Sequence, residues 1–133
     1  MDETCFIHPS LYIADTEGKG RGMFARESIA ADTIIENSPV IVMSGEERTL
    51  LDKTLLHDYI FEWQPDGAKM CCMAMGYLPV YNHSYKSNSE YFMDYEANTM
   101  CIKTVRAIAV DEEVTINYNS DWDDETPVWF DAK

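Results

Sequence analysis

Three separated segments of the sequence carry residues that could bind a ligand or take part in chemistry. The first is the glycine-rich run G-K-G-R-G at residues 18–22, and the second is the pair Asn82 and His83. The third is an acidic run at residues 111–113 that leads into a β-type segment ending at Tyr118. Glycine lets a backbone approach a ligand closely, whereas amide, imidazole and phenol groups supply directed hydrogen bonds. Together these segments could form a pocket, although each one alone is more commonly a turn or a core residue.

The glycine-rich run does not match the established phosphate-binding patterns. It lacks the G-x-x-x-x-G-K-[ST] order of a P-loop, and it is not a G-x-G-x-x-G sequence at a strand-to-helix turn. Taken alone, residues 18–22 are therefore either a plain turn or a place where the backbone approaches a ligand that needs no phosphate cradle.

Metal binding is the weakest interpretation of the polar side chains. The cysteines and histidines are Cys5, Cys71, Cys72, Cys101, His8, His57 and His83. Their spacing contains no C-x-x-C pair, and two adjacent cysteines cannot easily reach one tetrahedral ion. The acidic run at residues 121–125 lacks the central glycine and the spaced terminal glutamate of a calcium loop. We therefore expect no metal site, and buried free thiols in a reducing compartment.

One helix is predicted among the elements that must position these residues. Ser44 and Glu47 have the spacing of a capping box, which marks a helix N-terminus. Behind them apolar residues recur every four positions and continue to Trp63. This periodicity predicts an amphipathic helix near residues 45–64 that ends before the sequence Pro-Asp-Gly at 65–67.

The rest of the chain favours short strands. Strand-like segments are predicted at residues 23–26, 33–43, 91–95, 99–105 and 114–118, with the third and fourth joined as a hairpin. Pro39 interrupts the second of them, which predicts either two strand pieces or an edge strand. Residues 70–75 are interpreted as a short buried turn or helix, and the polar stretch that follows as a loop. The predicted fold class is therefore mostly β.

Composition and charge limit the classes of partner. The chain has 133 residues and a formal net charge of −14, from 24 acidic and 10 basic side chains. One domain over residues 1–133 is expected at this length. The negative field disfavours direct nucleic-acid binding and favours a basic protein partner, although solubility alone explains it equally well. We expect no membrane span and no signal peptide, and hence a soluble intracellular protein, cytoplasmic or nuclear.

Taken together and in order, the three segments resemble the SET domain of protein lysine methyltransferases. The matching sequences are G-x-G-R-G-M-F-A, Y-N-H-S-x-x-x-N and D-E-E-V-T-I-N-Y, and the resemblance covers residues 10 to about 122. It looks especially like the small single-domain viral and bacterial members. The resemblance implies a β-clip (SET) fold, in which several small short-stranded sheets surround a knot-like core and the second and third segments lie side by side.

The resemblance also implies a cofactor and a reaction. The family uses S-adenosyl-L-methionine to methylate lysine side chains. The implied cofactor-binding residues are Gly20, Arg21, Gly22 and Met23, through their backbone, and Asn82 and His83. Tyr118 matches the catalytic tyrosine of the family. Asn88 matches a later family asparagine that buttresses the structure.

The substrate channel is the least specific part of the resemblance. Tyr59, Phe61, Tyr81 and Trp122 are the candidate channel residues, with core packing as the alternative. The tail at residues 123–133 or a second subunit would have to close the channel, which leaves a homodimer open. The expected substrate is a lysine-rich protein such as a histone tail. The alternative function is a catalytically weak SET-like module that binds a basic partner protein without methylating it.

Overall fold

The computed structural model describes residues 5–118 and residue 125 of the chain. Ten β-strands and one α-helix, α1 (Gly45–Leu51), lie within these residues. The strands are β1 (Phe6–Ile7), β2 (Leu11–Asp15), β3 (Arg21–Ala25), β4 (Ile34–Met43), β5 (Phe61–Trp63), β6 (Met70–Ala74), β7 (Asn82–His83), β8 (Ser89–Asp94), β9 (Thr99–Thr104) and β10 (Glu113–Ile116). Single 3₁₀ turns occur at Leu55–Asp58, Pro65–Gly67 and Leu78–Val80. The mostly β prediction is confirmed.

The strands join in the order β2-β3-β10-β8-β9-β4-β6-β5, with β1 added to β4 and β7 added to β10. The long strand β4 runs through the middle of this order and not along an edge. It pairs with β9 through Ile34–Pro39 and with β6 through Val40–Met43. Pro39 lies where β4 changes partner, which is a position that tolerates the missing N–H of proline. The expectation of an edge strand or two separate pieces is therefore wrong.

The helix begins as predicted but ends much earlier. The Ser44 hydroxyl accepts a hydrogen bond from the Glu47 N–H at 3.1 Å, and the Glu47 carboxylate accepts one from the Ser44 N–H at 3.0 Å. α1 then stops at Leu51, and the Thr54 hydroxyl caps a separate 3₁₀ turn by accepting from the Leu56 N–H. The predicted helix over 45–64 is wrong beyond the first two turns.

The four-residue periodicity of this region has a different origin. None of the residues of α1 is buried, and Leu55 is 76% exposed. Trp63, by contrast, is 2% exposed because it belongs to β5, which pairs with β6. Apolar residues of three different elements thus fell by chance into one helical period.

Two short segments are strands where other structures were expected. Residues 70–75 were expected to form a turn or a helix, but Met70–Ala74 is strand β6, held between β4 and β5. Asn82–His83 was expected within a loop, but it forms the two-residue strand β7, parallel to β10. The predicted hairpin is confirmed, since β8 and β9 pair from Ser89↔Thr104 to Asp94↔Thr99.

The core lies where the faces of these strands meet. Its largest fully buried apolar side chains include Met23, Ile35, Leu78, Met100, Ile102, Ile108 and Ile116. Burial of each of these side chains stabilises the fold by roughly 1.5–3 kcal/mol.

Among the described residues, no helix is both long and apolar enough to span a membrane, and no group of three or more His, Cys, Asp or Glu side chains is placed to hold a metal ion.

Candidate active site

The three sequence segments meet on strand β10. On one side β3 pairs with β10 through Met23↔Val114, which brings the end of the glycine-rich run to this strand. On another side β7 runs parallel to β10, with Asn82 opposite Thr115. Tyr118 follows β10 by two residues. The juxtaposition implied by the SET-domain resemblance is therefore found in the structure.

A cavity of about 530 Å³ opens at this junction. It is lined by Lys19, Gly20, Arg21, Asp58, Tyr59, Pro79, Val80, Asn82 and Tyr118. Its volume lies within the range of about 300–1,000 Å³ that is typical of small-molecule sites. Polar groups from four separate parts of the chain thus converge on one concave surface with aromatic walls.

The glycine-rich run forms the turn between β2 and β3. The Gly20 carbonyl accepts hydrogen bonds from the Thr16 N–H at 2.7 Å and from the Thr16 hydroxyl at 2.8 Å, which fixes the turn. Gly20 has a φ of +72°, and a Cβ atom at this position would meet nothing within 4 Å. The turn therefore presents bare backbone to open space at the cavity.

Gly22 is required for a different reason. A Cβ atom here would lie 2.6 Å from Glu113 Oε2 and 2.9 Å from Asn82 Nδ2. The absence of a side chain lets the amide of Asn82 and the carboxylate of Glu113 come together against β3. Gly22 thus shapes the wall behind the cavity and is not part of the cavity lining itself.

Asn82 is held by its amide N–H groups. Nδ2 donates to the Arg21 carbonyl at 3.0 Å and to Glu113 Oε2 at 2.9 Å. The other carboxylate oxygen of Glu113 forms an ion pair with Lys19 Nζ at 3.2 Å. Because both N–H groups of the amide are engaged, the carbonyl oxygen is the group that Asn82 can offer to a ligand.

His83 supports the backbone of Tyr118, the catalytic candidate, from the buried side. Its side chain is buried, and Nδ1 accepts a hydrogen bond from the Tyr118 N–H at 3.0 Å. Burial lowers the pKa of His83, and the nearby charge of Lys19 lowers it further. The imidazole is therefore neutral at pH 7, as acceptance at Nδ1 requires.

Tyr118 is fixed at both ends. Its hydroxyl donates to the Tyr81 carbonyl at 2.9 Å, and its own carbonyl accepts from the Tyr91 hydroxyl at 3.1 Å. Burial raises the pKa of Tyr118 to about 12, with smaller contributions from Asp58 and Tyr59. The phenol is therefore protonated at neutral pH. It can orient and polarise a ligand, but it is a poor base.

Tyr81 contributes its backbone and not its ring to this site. The side chain is 1% exposed, and its hydroxyl donates to Glu36 Oε1 at 2.9 Å. Glu36 Oε2 accepts two further hydrogen bonds, from the Ser38 hydroxyl and from the Tyr77 N–H, both at 2.8 Å. Glu36 was missed by the sequence reasoning. A single acidic residue within the apolar run I-I-E-N-S-P-V-I-V was the available hint.

The remaining channel candidates divide into three cases. Tyr59 lines the cavity and is 41% exposed. Phe61 packs edge-on against Tyr118, with ring centroids 6.3 Å apart, but it is not part of the cavity lining. Trp122 lies outside the described residues, as does the tail at residues 123–133 apart from residue 125.

The cofactor-binding candidates are likewise only partly at the surface of the cavity. Gly20, Arg21 and Asn82 line it, whereas Met23 is fully buried in the core and His83 lies behind Tyr118. The sequence reasoning missed four lining residues: Lys19, Asp58, Pro79 and Val80. Lys19 lies inside the glycine-rich run, and Pro79 and Val80 lie directly before the Y-N-H-S sequence, but Asp58 has no motif that marks it.

Asn88 buttresses the third segment. Its Oδ1 accepts from the Thr115 N–H at 3.0 Å, and its Nδ2 donates to the Glu113 carbonyl at 2.8 Å. The side chain is 2% exposed, so these hydrogen bonds hold β10 in place from within the fold. This is the supporting role that the resemblance implies for Asn88.

The lowered pKa of His83 predicts a pH-dependent stability. In the unfolded chain His83 binds a proton near pH 6.5, whereas in the folded chain His83 binds this proton only at lower pH. Stability is therefore expected to fall as pH decreases below about 6.5 through the lower folded-state pKa. The variant His83→Asn keeps a hydrogen-bond acceptor but cannot titrate. Urea unfolding measures the free energy of unfolding between pH 7 and pH 5, and this free energy should fall less steeply with decreasing pH for His83→Asn than for the wild type. An equal pH dependence in the two proteins would show that His83 does not have a lowered pKa in the folded state.

Comparison with known proteins agrees with this geometry. The SET domain family model matches residues 20–119 of the chain. A histone-lysine N-methyltransferase of Schizosaccharomyces pombe, specific for lysine 37 of histone H3, is 37% identical over 113 residues, which cover 84% of this chain and 75% of that protein. The crystal structure of a candidate histone methyltransferase from Plasmodium falciparum is 30% identical and superposes with a TM-score of 0.64, covering 87% of this chain and 98% of that one.

Proposed function

The chain belongs to the SET-domain family, and from this membership we propose that it transfers methyl groups from S-adenosylmethionine to lysine side chains of a basic protein. It is a protein-lysine methyltransferase, by its family and by its similarity to the S. pombe enzyme. The identity of the methyl donor and the nature of the substrate are the proposal. The observation that carries it is the convergence of the three motifs on β10, beside one cavity.

The cavity has the groups that S-adenosylmethionine would need. The bare backbone at Gly20 permits a close approach, and the Asn82 carbonyl oxygen and the Lys19 ammonium can meet the polar amino-acid part. The rings of Tyr59 and Tyr118 provide aromatic walls, which suit a cationic sulfonium. When bound, the cofactor supplies an activated methyl group to an entering nucleophile.

The protein residues would contribute positioning and electrostatics and not a strong base. A lysine side chain has an unperturbed pKa of about 10.4, so its ammonium must lose a proton before it can act as a nucleophile. A partly desolvated, apolar channel favours the neutral amine. The Tyr118 phenol, with its pKa raised to about 12, stays protonated and is held by the Tyr81 carbonyl. These groups would align the amine, which is a large part of the rate enhancement in such reactions.

The proposed substrate is a histone tail or another lysine-rich protein. The formal net charge of −14 favours approach of a basic partner. The S. pombe relative acts on histone H3 by its name, which makes histones the first substrates to try. If the substrate is a histone, the protein would act in the nucleus. If it is another basic protein, the protein could act in the cytoplasm. A homodimer and the absence of direct nucleic-acid binding stay predictions.

One labelling experiment distinguishes the proposed function from the alternative, a SET-like module that binds a basic partner without methylating it. The purified protein is incubated with S-adenosylmethionine carrying a labelled methyl group and with core histones, other basic proteins and acidic control proteins. We expect label on lysines of one or more basic proteins. Stable binding of a basic protein without any label would favour the alternative. Absence of both label and calorimetric cofactor binding would refute the proposal.

Gly20 and Gly67 offer a matched pair of variants for cofactor binding. Both glycines have positive φ, +72° and +81°, and a Cβ atom at either position would meet nothing within 4 Å. Only Gly20 lines the cavity. Gly20→Ala and Gly67→Ala should therefore lose similar stability, about 1 kcal/mol each, because both force alanine into a left-handed conformation.

Only the first of these variants should affect the cofactor. The new methyl group and any shift of the turn obstruct the backbone surface at the cavity, so Gly20→Ala should weaken S-adenosylmethionine binding by about tenfold or more, equivalent to about 1.4 kcal/mol. Calorimetric titration checks the affinity, and thermal unfolding checks the stability. Equal cofactor affinity in the two variants would show that the cofactor does not approach Gly20.

A further inference from the structure

One wall of the cavity carries a carboxylate that the sequence motifs do not explain. Asp58 ends the 3₁₀ turn Leu55–Asp58 and lines the cavity together with Tyr59 and Tyr118. Its side chain is exposed, and within residues 5–118 no hydrogen bond or ion pair engages its carboxylate. Among the described residues, the Asp58 carboxylate therefore makes no polar contact that holds the fold together. A charged group that faces a cavity without such a contact is available to a ligand.

The opposite wall has a different charge arrangement. Lys19 also lines the cavity, but its ammonium is paired with Glu113 at 3.2 Å. Glu113 in turn accepts a hydrogen bond from Asn82. On that wall a cation and an anion already balance each other, whereas Asp58 faces the cavity as an unbalanced negative charge within the described part of the chain. The negative field of Asp58 reaches Tyr118, whose pKa it helps to raise after burial, the larger cause.

We propose that Asp58 is the counterion of a primary ammonium group bound in this cavity. This inference rests on the proposed function, which brings two such groups to the site. One is the α-ammonium of the amino-acid part of S-adenosylmethionine, and the other is the side chain of the lysine substrate as it enters. Both are compact cations with three N–H donors, and a carboxylate accepts from them at short range with charge assistance.

The role of Asp58 would be in binding and not in methyl transfer. A carboxylate beside an ammonium stabilises the charged form, so it opposes deprotonation of the lysine. Asp58 should therefore lower the Kd or the KM of the ligand that carries the ammonium and leave kcat nearly unchanged. This separates Asp58 from Tyr118, whose removal should act on kcat.

Asp58→Asn tests the inference, with Asp52→Asn as the matched control. Asp52 lies in the same segment and carries the same charge, but it is outside the cavity lining and contacts His57 on the exposed surface. Comparing the two variants removes the effect of net charge on the approach of a basic substrate. Two quantities are measured for each variant: the calorimetric Kd of S-adenosylhomocysteine, and kcat and KM for a lysine peptide that the wild type methylates.

The two measurements distinguish the two sources of ammonium. A Kd raised about tenfold in Asp58→Asn but not in Asp52→Asn assigns the carboxylate to the cofactor. A KM for the peptide raised by about the same factor, at unchanged Kd, assigns it to the substrate lysine. In either case Asp58→Glu should recover part of the affinity, because it restores the charge.

Two further results would overturn the inference. Equal Kd and KM values for Asp58→Asn and Asp52→Asn would show that the carboxylate binds neither ammonium. A loss confined to kcat would show that Asp58 acts in the transfer step and not as a binding counterion. If the wild type itself neither binds S-adenosylhomocysteine nor methylates lysine, the proposed function fails first. Circular dichroism melting curves confirm that both variants are folded.

Discussion

Tyr118→Phe is expected to lower kcat about 100-fold while leaving the Kd of S-adenosylmethionine within about twofold of the wild-type value. The hydroxyl donates to the Tyr81 carbonyl and borders the cavity, so its removal takes away a positioned dipole without emptying the site. The ring and its packing against His83 and Phe61 stay in place. Steady-state kinetics with a lysine peptide that the wild type methylates and calorimetry with the cofactor measure the two quantities separately.

A second outcome of the same variant is also consistent with this role. If water or the freed Tyr81 carbonyl takes over the alignment of the amine, the number of methyl groups added to each lysine should change, and mass spectrometry would show it. Tyr12→Phe is the matched control, because the Tyr12 hydroxyl donates to exposed Asp111 and neither residue is part of the cavity lining. Wild-type kcat and methyl number in Tyr118→Phe would mean that the active site has been placed wrongly.

The largest stability effect is expected for Glu36→Ala. Glu36 is fully buried and accepts hydrogen bonds from three donors: the Ser38 hydroxyl, the Tyr77 N–H and the Tyr81 hydroxyl. Removal of the carboxylate leaves these donors without their acceptor, and each unsatisfied buried group costs about 1–3 kcal/mol. We expect a loss of about 3 kcal/mol or more in the free energy of unfolding at pH 7, measured by urea denaturation.

The same variant should also reduce activity. The Tyr81 hydroxyl donates to Glu36, and the Tyr81 carbonyl accepts from the Tyr118 hydroxyl. Loss of the Glu36 carboxylate should therefore displace Tyr81 and, with it, the hydroxyl of Tyr118. Glu27→Ala is a suitable control, since Glu27 is an exposed acidic residue and such surface changes are usually within about 0.5 kcal/mol. Equal stability of Glu36→Ala and Glu27→Ala would contradict the buried network.

Motif spacing indicated which residues lie together at one cavity better than periodicity indicated the elements around them. The residues Gly20, Asn82 and Tyr118 could be named because their spacing in the chain is a motif, and the structure places all three at one cavity. The resemblance also implied that two motifs lie side by side. In the structure the two motifs do lie side by side, because β7 pairs in parallel with β10.

The errors have a common cause in strand pairings that the local sequence pattern does not show. β7 is a strand because the distant strand β10 supplies its partner, and β6 is a strand because it lies between β4 and its near neighbour β5. The helix was extended too far because the apolar residue Trp63 fits a helical period, while pairing of β5 with β6 decides its conformation. Local periodicity cannot reveal such pairings.

Buried and isolated charges were missed for a related reason. Glu36 is separated from its donor Tyr81 by 45 positions, so nothing near it in the sequence indicates that it is satisfied. Asp58 has no motif at all, and only the cavity gives it a role. Tyr81 was expected to face the channel, yet its hydroxyl is turned to Glu36 because a buried carboxylate needs donors.

The most direct measurement is an experimental structure of the protein with S-adenosylhomocysteine bound. We expect the ligand in the cavity of about 530 Å³, in contact with Gly20, Asn82 and Tyr118. The Asn82 carbonyl oxygen should accept a hydrogen bond from it, since both N–H groups of the amide are already engaged. A ligand bound elsewhere on a protein that methylates lysine, with this cavity empty, would contradict the assignment of the active site.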